Sequence, residues 1–285
     1  MRRHSYFLFF CAAWLALFYG SLRELVLLAL RSELYSHTLL IPLVSGYLMY
    51  DRRKEIFADT GRSYGIGGPV AAAGILLYFA GRNLGTALSR NDHISLMVFS
   101  SVLSLAGGFI LFYGKRAFRS AAFPFFFLAF MIPVPAVIMD KIILFLQSGS
   151  TDATYAAFKL LGIPVARDGF VFTLPGISIE VAKECSGIRS SIALFIMGIL
   201  ASALFLDSPW KRAVLVLTIV PLAVIKNTIR IVTLSLLGLY VDEAFVGGSD
   251  LHRNGGFVFF LTTVALFMLI LWVLRKSERK AKDNP

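Results

Sequence analysis

The sequence predicts an all-α polytopic membrane protein of about eight transmembrane helices with a small extracytoplasmic segment. Hydrophobic residues make up 57% of the 285 residues and charged residues only 16%, whereas a soluble domain carries about 45–50% and about 25%, respectively. The apolar residues form blocks that are too long for a soluble core, and Lys and Arg cluster in the short loops between them. We therefore expect residues 1–285 to form a single integral membrane domain.

About eight apolar blocks account for the predicted helices, because a transmembrane helix needs about 20 residues. The second block is short, and the seventh is long and contains polar residues, so we expect the seventh to project beyond the bilayer. No small-x-small cleavage site follows the first block, so we expect a retained helix and not a cleaved signal peptide. The blocks cover residues 5–22, 36–50, 65–81, 94–113, 120–138, 187–206, 212–240 and 256–274.

The distribution of positive charge predicts that both termini are cytoplasmic. With eight spans, more than half of the 28 Lys and Arg residues lie at the termini and in short loops on one side, which is cytoplasmic by the positive-inside rule. Residues 139–186 and 241–255 are then extracytoplasmic, in a protein of the cell (inner) membrane. The net charge of +11 follows this topology, and no nucleic-acid-binding motif accompanies it, so we expect no nucleic-acid partner.

The extracytoplasmic segment at about 139–186 is predicted to hold an interfacial amphipathic helix or helix pair followed by a β-hairpin. Residues 139–162 mix apolar and polar side chains at roughly helical spacing. Two strand-like runs, GFVFTL and ISIEVA, then flank Pro175-Gly176, a pair that suits the central positions of a type II turn. The hairpin leads directly into Cys185, just before the sixth span.

Cys185 is a candidate nucleophile because of its place at the start of a helix. Ser186 and Gly187 follow it as plausible cap residues, and a thiol at a helix N-terminus meets exposed N–H groups and the positive end of the helix dipole, which favour the thiolate. If the helix begins near Glu184, Arg189 lies one turn further on the same face and adds positive charge. The alternative interpretation is a small apolar residue at a membrane boundary.

Arg230 lies well inside the seventh apolar block, where an arginine is costly and usually faces the bundle interior or a water-filled cavity. Asn227 and Lys226 precede it at helical spacing, so that a polar stripe runs along one face of the helix. The pattern favours a functional site on this face. The alternative is an interfacial arginine whose side chain extends outward to the membrane surface.

His252, just before the last span, could act as a base and an acid near neutral pH, although a loop histidine can also be merely exposed. In the predicted topology Cys185, Arg230 and His252 all lie at the extracytoplasmic ends of spans. A thiolate nucleophile needs a proton shuttle and a group that stabilises an oxyanion, and these three residues supply the set. His and Cys are too few and too scattered for a metal site, and we expect no metal or cofactor.

Three stretches of the sequence resemble the exosortase/archaeosortase family of membrane cysteine transpeptidases. They are RDGFVFTLPGISIEVAKECSGIRSS, NTIRIV and HRNGGFVFF, in that order. The resemblance implies that the family's Cys, Arg and His correspond to Cys185, Arg230 and His252, and that the arginine of its cysteine motif corresponds to Arg189. Asn227, in the second stretch, is a candidate supporting residue.

The resemblance implies cleavage of secreted proteins that end in a sorting signal: a short motif such as Pro-Glu-Pro, a transmembrane helix and a basic cluster. Cys185 would attack the scissile carbonyl to form a thioester, Arg230 with Arg189 would stabilise the charge, and His252 would transfer protons. The new C-terminus would be transferred to an acceptor at the cell surface, either a lipid-linked molecule or a glycan. Membrane lipids would surround the enzyme and its substrate. The sequence leaves two other functional classes open. The first is a transporter, flippase or polymerase that acts on lipid-linked saccharides, and the second is a non-catalytic membrane scaffold.

Overall fold

A computed structural model describes residues 2–85, 87–242 and 256–283 of the chain. Short 3₁₀ turns lie at Ser36–Leu39, Ala129–Met131 and Lys183–Ser186. In chain order the described elements are helices α1 (Arg2–Arg31), α2 (Ile41–Asp51), α3 (Arg53–Ile56), α4 (Tyr64–Asn83), α5 (Arg90–Ser120), α6 (Ala122–Leu128) and α7 (Ala136–Leu160), strands β1 (Ala166–Asp168), β2 (Val171–Leu174) and β3 (Ile177–Glu180), and helices α8 (Ile188–Phe205), α9 (Pro209–Leu217), α10 (Ile219–Tyr240) and α11 (Gly256–Asp283).

The predicted all-α multi-pass membrane fold is confirmed, with a different number of spans. Among the described residues, six segments are long and apolar enough to cross a membrane, and a seventh arises if the bent pair of α6 and α7 counts as one span. The second predicted span is the 11-residue helix α2, which is about 16 Å long and too short for a bilayer core of about 30 Å. The six segments are Arg3–Arg31, Tyr64–Asn83, Arg90–Ser120, Ile188–Phe205, Pro209–Tyr240 and Val258–Lys280.

The change in span number bears on the predicted topology. An even number of spans returns the two termini to the same side of the membrane, whereas seven spans would separate them. The cytoplasmic placement of both termini therefore stays a prediction, as does the extracytoplasmic placement of residues 139–186. The chain divides into two compact units, Met1–Met139 and Asp140–Pro285, and the single integral domain also stays a prediction.

The first unit is built on a close contact between α4 and α5. A Cβ atom added at Gly107 of α5 would lie 2.2 Å from the backbone nitrogen of Ala71, and one added at Gly67 of α4 would lie 2.2 Å from that of Leu111. Small residues at such positions let two helix backbones approach and pack in a membrane, where no hydrophobic force drives association. The glycines at the α4–α5 contact are therefore required for packing.

We expect Gly107→Ala to destabilise the protein by about 1–3 kcal/mol, because the added methyl group meets rigid backbone rather than a flexible side chain. The matched control is Gly46→Ala in α2, where a Cβ atom has nothing within 4 Å and helix propensity should add about 0.5–1 kcal/mol. Thermal unfolding in detergent measures both variants. Equal unfolding midpoints for the two would show that α4 and α5 do not pack as described.

Two hydrophobic clusters lie among the described residues of the second unit. One joins α8 to α11 around Leu194, Leu215 and Phe267, each at most 1% exposed. The other holds the small sheet between α7 and α10, with Phe158 of α7 and Phe172 of β2 both fully buried against each other. Both clusters use the apolar faces of helices that also carry the candidate site, so that the site rests on packed elements.

The predicted β-hairpin is confirmed, with a third strand added. β2 and β3 pair antiparallel through the two-residue turn Pro175-Gly176, and Gly176 has a φ of 89°, as the second central position of a type II turn requires. β1 pairs with the other edge of β2. β1 was not predicted from the sequence, because Arg167 and Asp168 are residue types that are common in loops. Arg167 instead forms an ion pair of 2.7 Å with Asp152 of α7, and its Nε donates a hydrogen bond to the carbonyl of Gly169 in the turn between β1 and β2.

Candidate active site

Cys185 lies in the 3₁₀ turn Lys183–Ser186, between β3 and α8. The structure describes its backbone and not its side chain. The expectation that the helix begins near Glu184 is wrong, because α8 begins at Ile188. Gly187 intervenes with a φ of 71° and a ψ of 15°, and a residue in this left-handed conformation cannot lie within a right-handed helix. Gly187 is the N-terminal cap residue of α8, as predicted.

The later start of α8 changes the expected position of Arg189. This residue belongs to the first turn of α8, and its side chain is exposed. It is not separated from Cys185 by one continuous helical turn, so the helical spacing that placed the two on one face does not apply.

A hydrogen-bonded contact joins the start of α8 to α10 beside the cysteine turn. A Cβ atom at Gly187 would lie 3.2 Å from Nζ of Lys226 and 3.4 Å from Oδ1 of Asn227. Lys226 Nζ donates a hydrogen bond to Ser190 Oγ, and Ser190 Oγ donates to the Gly187 carbonyl at 3.0 Å. Ser191 Oγ donates to the same carbonyl at 2.8 Å. Gly187 is thus required both for its positive φ and for the close approach of α10.

Several buried polar atoms around the turn lack a hydrogen-bond partner among the described residues. Asn227 is 0% exposed, and neither its Oδ1 nor its Nδ2 is paired; Oγ of Ser186, which is 2% exposed, is also unpaired. More than about 90% of buried polar groups in proteins are hydrogen-bonded, and each exception costs about 1–3 kcal/mol. Unpaired atoms of this kind are typical of a binding or catalytic site, where a ligand supplies the missing partners.

A cavity of about 220 Å³ lies next to these atoms. One wall is the end of β3 and the segment that follows it, including Ser178, Glu180 and Ala182, and the other is α10, including Asn227 and Arg230. Arg230 is half-buried in this wall. The structure therefore brings Asn227 and Arg230, the polar stripe predicted from the sequence, to the chain segment that leads into Cys185.

Gln147 of α7 anchors the segment that leads into Cys185. Its amide donates a hydrogen bond of 2.6 Å to the carbonyl of Val181, and the Val181 side chain is 1% exposed within the cluster around Phe158 and Phe172. The segment before the cysteine turn is thereby held from α7 on one side while α10 contacts Gly187 on the other. Such support is what keeps a reactive group in a defined position.

One contributor to this site, Lys226, was not assigned a role from the sequence. Lys226 was noted on the polar stripe, but its contact with Ser190 depends on the folding of α10 against α8. The only feature of the sequence that pointed to Lys226 was its position four residues before Arg230, which places both residues on one face of a helix. His252 lies outside the described residues, so its predicted place beside Cys185 and Arg230 stays a prediction.

The charges around the turn suit a thiolate. Lys226 is 8% exposed beside Gly187, Arg230 lies one helical turn further along α10, and the N-terminus of α8 begins directly after the turn. Positive side chains and a helix N-terminus both stabilise a cysteine thiolate relative to the thiol. Positive charge and a helix N-terminus beside the turn are thus compatible with the predicted nucleophilic role of Cys185.

Comparison with known proteins gives a family for the chain. No curated protein and no solved structure matches the chain. A family model described as transmembrane exosortase matches residues 29–269. This range covers most of the chain and includes the sheet, the cysteine turn and the polar face of α10. The chain therefore belongs to the transmembrane exosortase family.

Proposed function

We propose that the protein is a membrane-embedded cysteine protease and transpeptidase that removes the C-terminal sorting signal of secreted proteins. The signal consists of a short motif of the Pro-Glu-Pro kind, a transmembrane helix and a basic cluster. Family membership supports the general activity. The observation that carries the site is the cavity between β3 and α10, where the unpaired amide of Asn227 and the half-buried Arg230 lie beside the segment that enters the Cys185 turn.

In the proposed mechanism the Cys185 thiolate attacks the scissile carbonyl, and a tetrahedral oxyanion forms. Arg230 stabilises this charge with Asn227 as a neutral donor, while Arg189 contributes from the exposed side. The peptide C–N bond breaks, His252 protonates the leaving amine, and a thioester remains on Cys185. His252 then removes a proton from the incoming nucleophile, which attacks the thioester, and the thiolate is restored.

The proposal includes a location and two kinds of partner. The protein lies in the cell (inner) membrane with cytoplasmic termini, and its active site faces the extracytoplasmic side. The substrate's own transmembrane helix is held among the membrane lipids, which limits the depth of the scissile bond and lowers the entropic cost of alignment. The acceptor is a nucleophile at the cell surface, either lipid-linked or a surface glycan.

Trapping the thioester tests this proposal directly. A tagged substrate is incubated with the full-length protein in membranes, and the protein is then analysed by mass spectrometry after denaturation. We expect the substrate's N-terminal fragment to be attached at Cys185 and to be released by neutral hydroxylamine, which cleaves thioesters. Substrate cleavage without any hydroxylamine-sensitive adduct, under conditions that stop acceptor attack, would contradict covalent catalysis by Cys185.

Asn227→Leu should separate function from stability. Leucine has a similar size and removes two unpaired buried polar atoms, so we expect the unfolding midpoint to stay the same or rise. Processing should fall by at least about tenfold, because a donor to the oxyanion is lost. Thermal unfolding and the initial rate of substrate cleavage measure the two effects.

The matched control for Asn227→Leu is Ser202→Ala in α8. Ser202 is also buried, but its hydroxyl donates to the carbonyl of Ile199 in the same helix, and we expect processing to be unchanged. The opposite outcome is an Asn227→Leu protein whose unfolding midpoint is clearly below that of the wild type and whose loss of processing matches its loss of folded protein. Asn227 would then have a structural role and would not belong to the active site.

A further inference from the structure

The strand β3 lies at the edge of the small sheet. Among the residues that the structure describes, the sheet order is β1-β2-β3, so β3 pairs with a neighbouring strand on one side only. Val181 N–H donates to the Phe170 carbonyl at 2.9 Å, and Phe172 and Leu174 face Ile179 and Ile177 in the same register. Hydrogen-bonded pairs alternate along an antiparallel ladder. The N–H and C=O groups of Ser178 and Glu180 therefore point away from β2.

This free edge lies along the cavity of the candidate active site. Ser178 and Glu180 belong to the cavity wall opposite Asn227 and Arg230 of α10. A strand edge on one wall of a cavity is the kind of surface to which an extended peptide can add through main-chain hydrogen bonds.

We propose that an extended segment of the substrate adds to β3 as a fourth strand of the sheet. The inference rests on the proposed function and names the way in which that function's substrate is recognised. Main-chain hydrogen bonds to Ser178 and Glu180 provide affinity that is independent of side chains, as in other cases of strand addition. The chain continues from β3 through Ala182 into the cysteine turn, so a peptide aligned with β3 is directed toward Cys185.

The α10 wall supplies partners for the other edge of the added strand. An extended peptide presents N–H and C=O groups on both edges. Helix α10 lines the same cavity, and there Asn227 has a donor and an acceptor without a partner among the described residues, while Arg230 carries a positive charge. The amide can pair with a peptide group in either orientation, and the guanidinium favours a carbonyl or a carboxylate.

A Pro-Glu-Pro motif is compatible with this pairing. Alternate residues of a strand direct their main-chain groups to the same edge. The glutamate of such a motif can pair with β3 through its own N–H and C=O, while the two flanking prolines direct their nitrogen atoms away from the ladder. Proline is tolerated in an edge strand in this orientation, since no ladder hydrogen bond is lost.

The test places a proline on the free edge of β3. Ser178→Pro removes an outward N–H group and adds a ring on the pairing edge, without removing a hydrogen bond to β2. The matched control is Arg167→Pro, on the outer edge of β1. The main-chain groups of Ala166 and Asp168 point toward β2, so the N–H group of Arg167 between them points away from it. Arg167→Pro also removes the ion pair with Asp152 and the hydrogen bond from Arg167 Nε to the Gly169 carbonyl, and exposed interactions of this kind contribute little.

Binding and processing are measured separately in the full-length protein in lipid nanodiscs. The probe is a fluorescent peptide with the motif, the spanning helix and the basic cluster, and its affinity is measured in a Cys185→Ala background. We expect Ser178→Pro to weaken binding by about tenfold or more and Arg167→Pro to leave it unchanged. Cleavage by the otherwise wild-type protein should fall in parallel for Ser178→Pro.

The outcomes distinguish the strand addition from the proposed function. If Ser178→Pro binds and cleaves as well as the wild type, strand addition is overturned and the function stands. If the Ser178→Pro variant loses peptide binding while the wild-type protein binds the peptide but does not cleave it, strand addition stands and the proposed protease function is wrong. If the wild type does not bind the peptide, both are overturned.

Disulfide scanning keeps the inference testable if Ser178→Pro fails to fold. Ser178→Cys is placed in a Cys11→Ala and Cys185→Ala background and is combined with peptides that carry one cysteine at successive positions. Since side chains of a strand alternate between its faces, we expect cross-links at every second position. Uniform cross-linking, or none at any position, overturns strand addition.

Discussion

Cys185→Ala should abolish substrate processing while the protein still inserts into the membrane. The thiol is the only proposed nucleophile, and a transferase that forms a thioester has no route without it. The change itself is small, and it leaves Gly187 and its contact with Lys226 and Asn227 in place. We therefore expect normal abundance and a normal unfolding midpoint, with processing reduced to the uncatalysed background. Immunoblotting of a tagged substrate in cells measures the result.

Cys11→Ala is the control for the cysteine change. Cys11 is a half-buried free cysteine of α1, in the other compact unit of the chain, and its replacement should leave processing at the wild-type level. A membrane-inserted Cys185→Ala protein that still processes the substrate would rule out Cys185 as the nucleophile. Loss of processing in both variants would indicate a general sensitivity to cysteine replacement and would remove the support for a specific role.

Arg230→Gln should lower the rate of processing by about 100–1,000-fold, the loss typical of a removed oxyanion stabiliser. Arg230 is half-buried in the wall of the cavity, opposite β3, where a positive charge is poorly screened by water and acts strongly. Glutamine keeps a polar side chain with a hydrogen-bond donor but removes the charge. The comparison of initial rates at matched protein abundance measures the effect of the charge on the reaction.

Arg189→Gln is the matched control for Arg230→Gln. Arg189 is exposed in the first turn of α8, where water screens its charge, and we expect a loss of less than about tenfold. The sequence did not separate the roles of the two arginines, and the larger effect expected for Arg230 follows from its greater burial. A larger loss for Arg189→Gln than for Arg230→Gln would reverse the assignment and place the oxyanion nearer to the start of α8.

Much of the fold could be predicted because the membrane imposes local rules. A long apolar run predicted the span at α8 to within a residue at each end and the start of α11, although α11 continues nine residues beyond the predicted end, since hydropathy over about 20 residues decides whether a helix can cross a bilayer. The same rule failed at residues 36–50, where hydropathy was sufficient but helix α2 is only 11 residues long. The turn of the β-hairpin was predicted because Pro175-Gly176 is a strong local signal.

The sequence by itself determined that this protein is a multi-pass membrane protein with a hairpin before Cys185 and a polar stripe on the helix that carries Arg230. These features depend on neighbouring residues, which a linear pattern records. Only the tertiary structure decided that α8 begins after a left-handed Gly187, that Lys226 reaches Ser190, and that α10 faces the free edge of β3. These contacts join residues that are far apart in the chain, and they arise from the packing of α8, α10 and the sheet, which periodicity and composition do not encode.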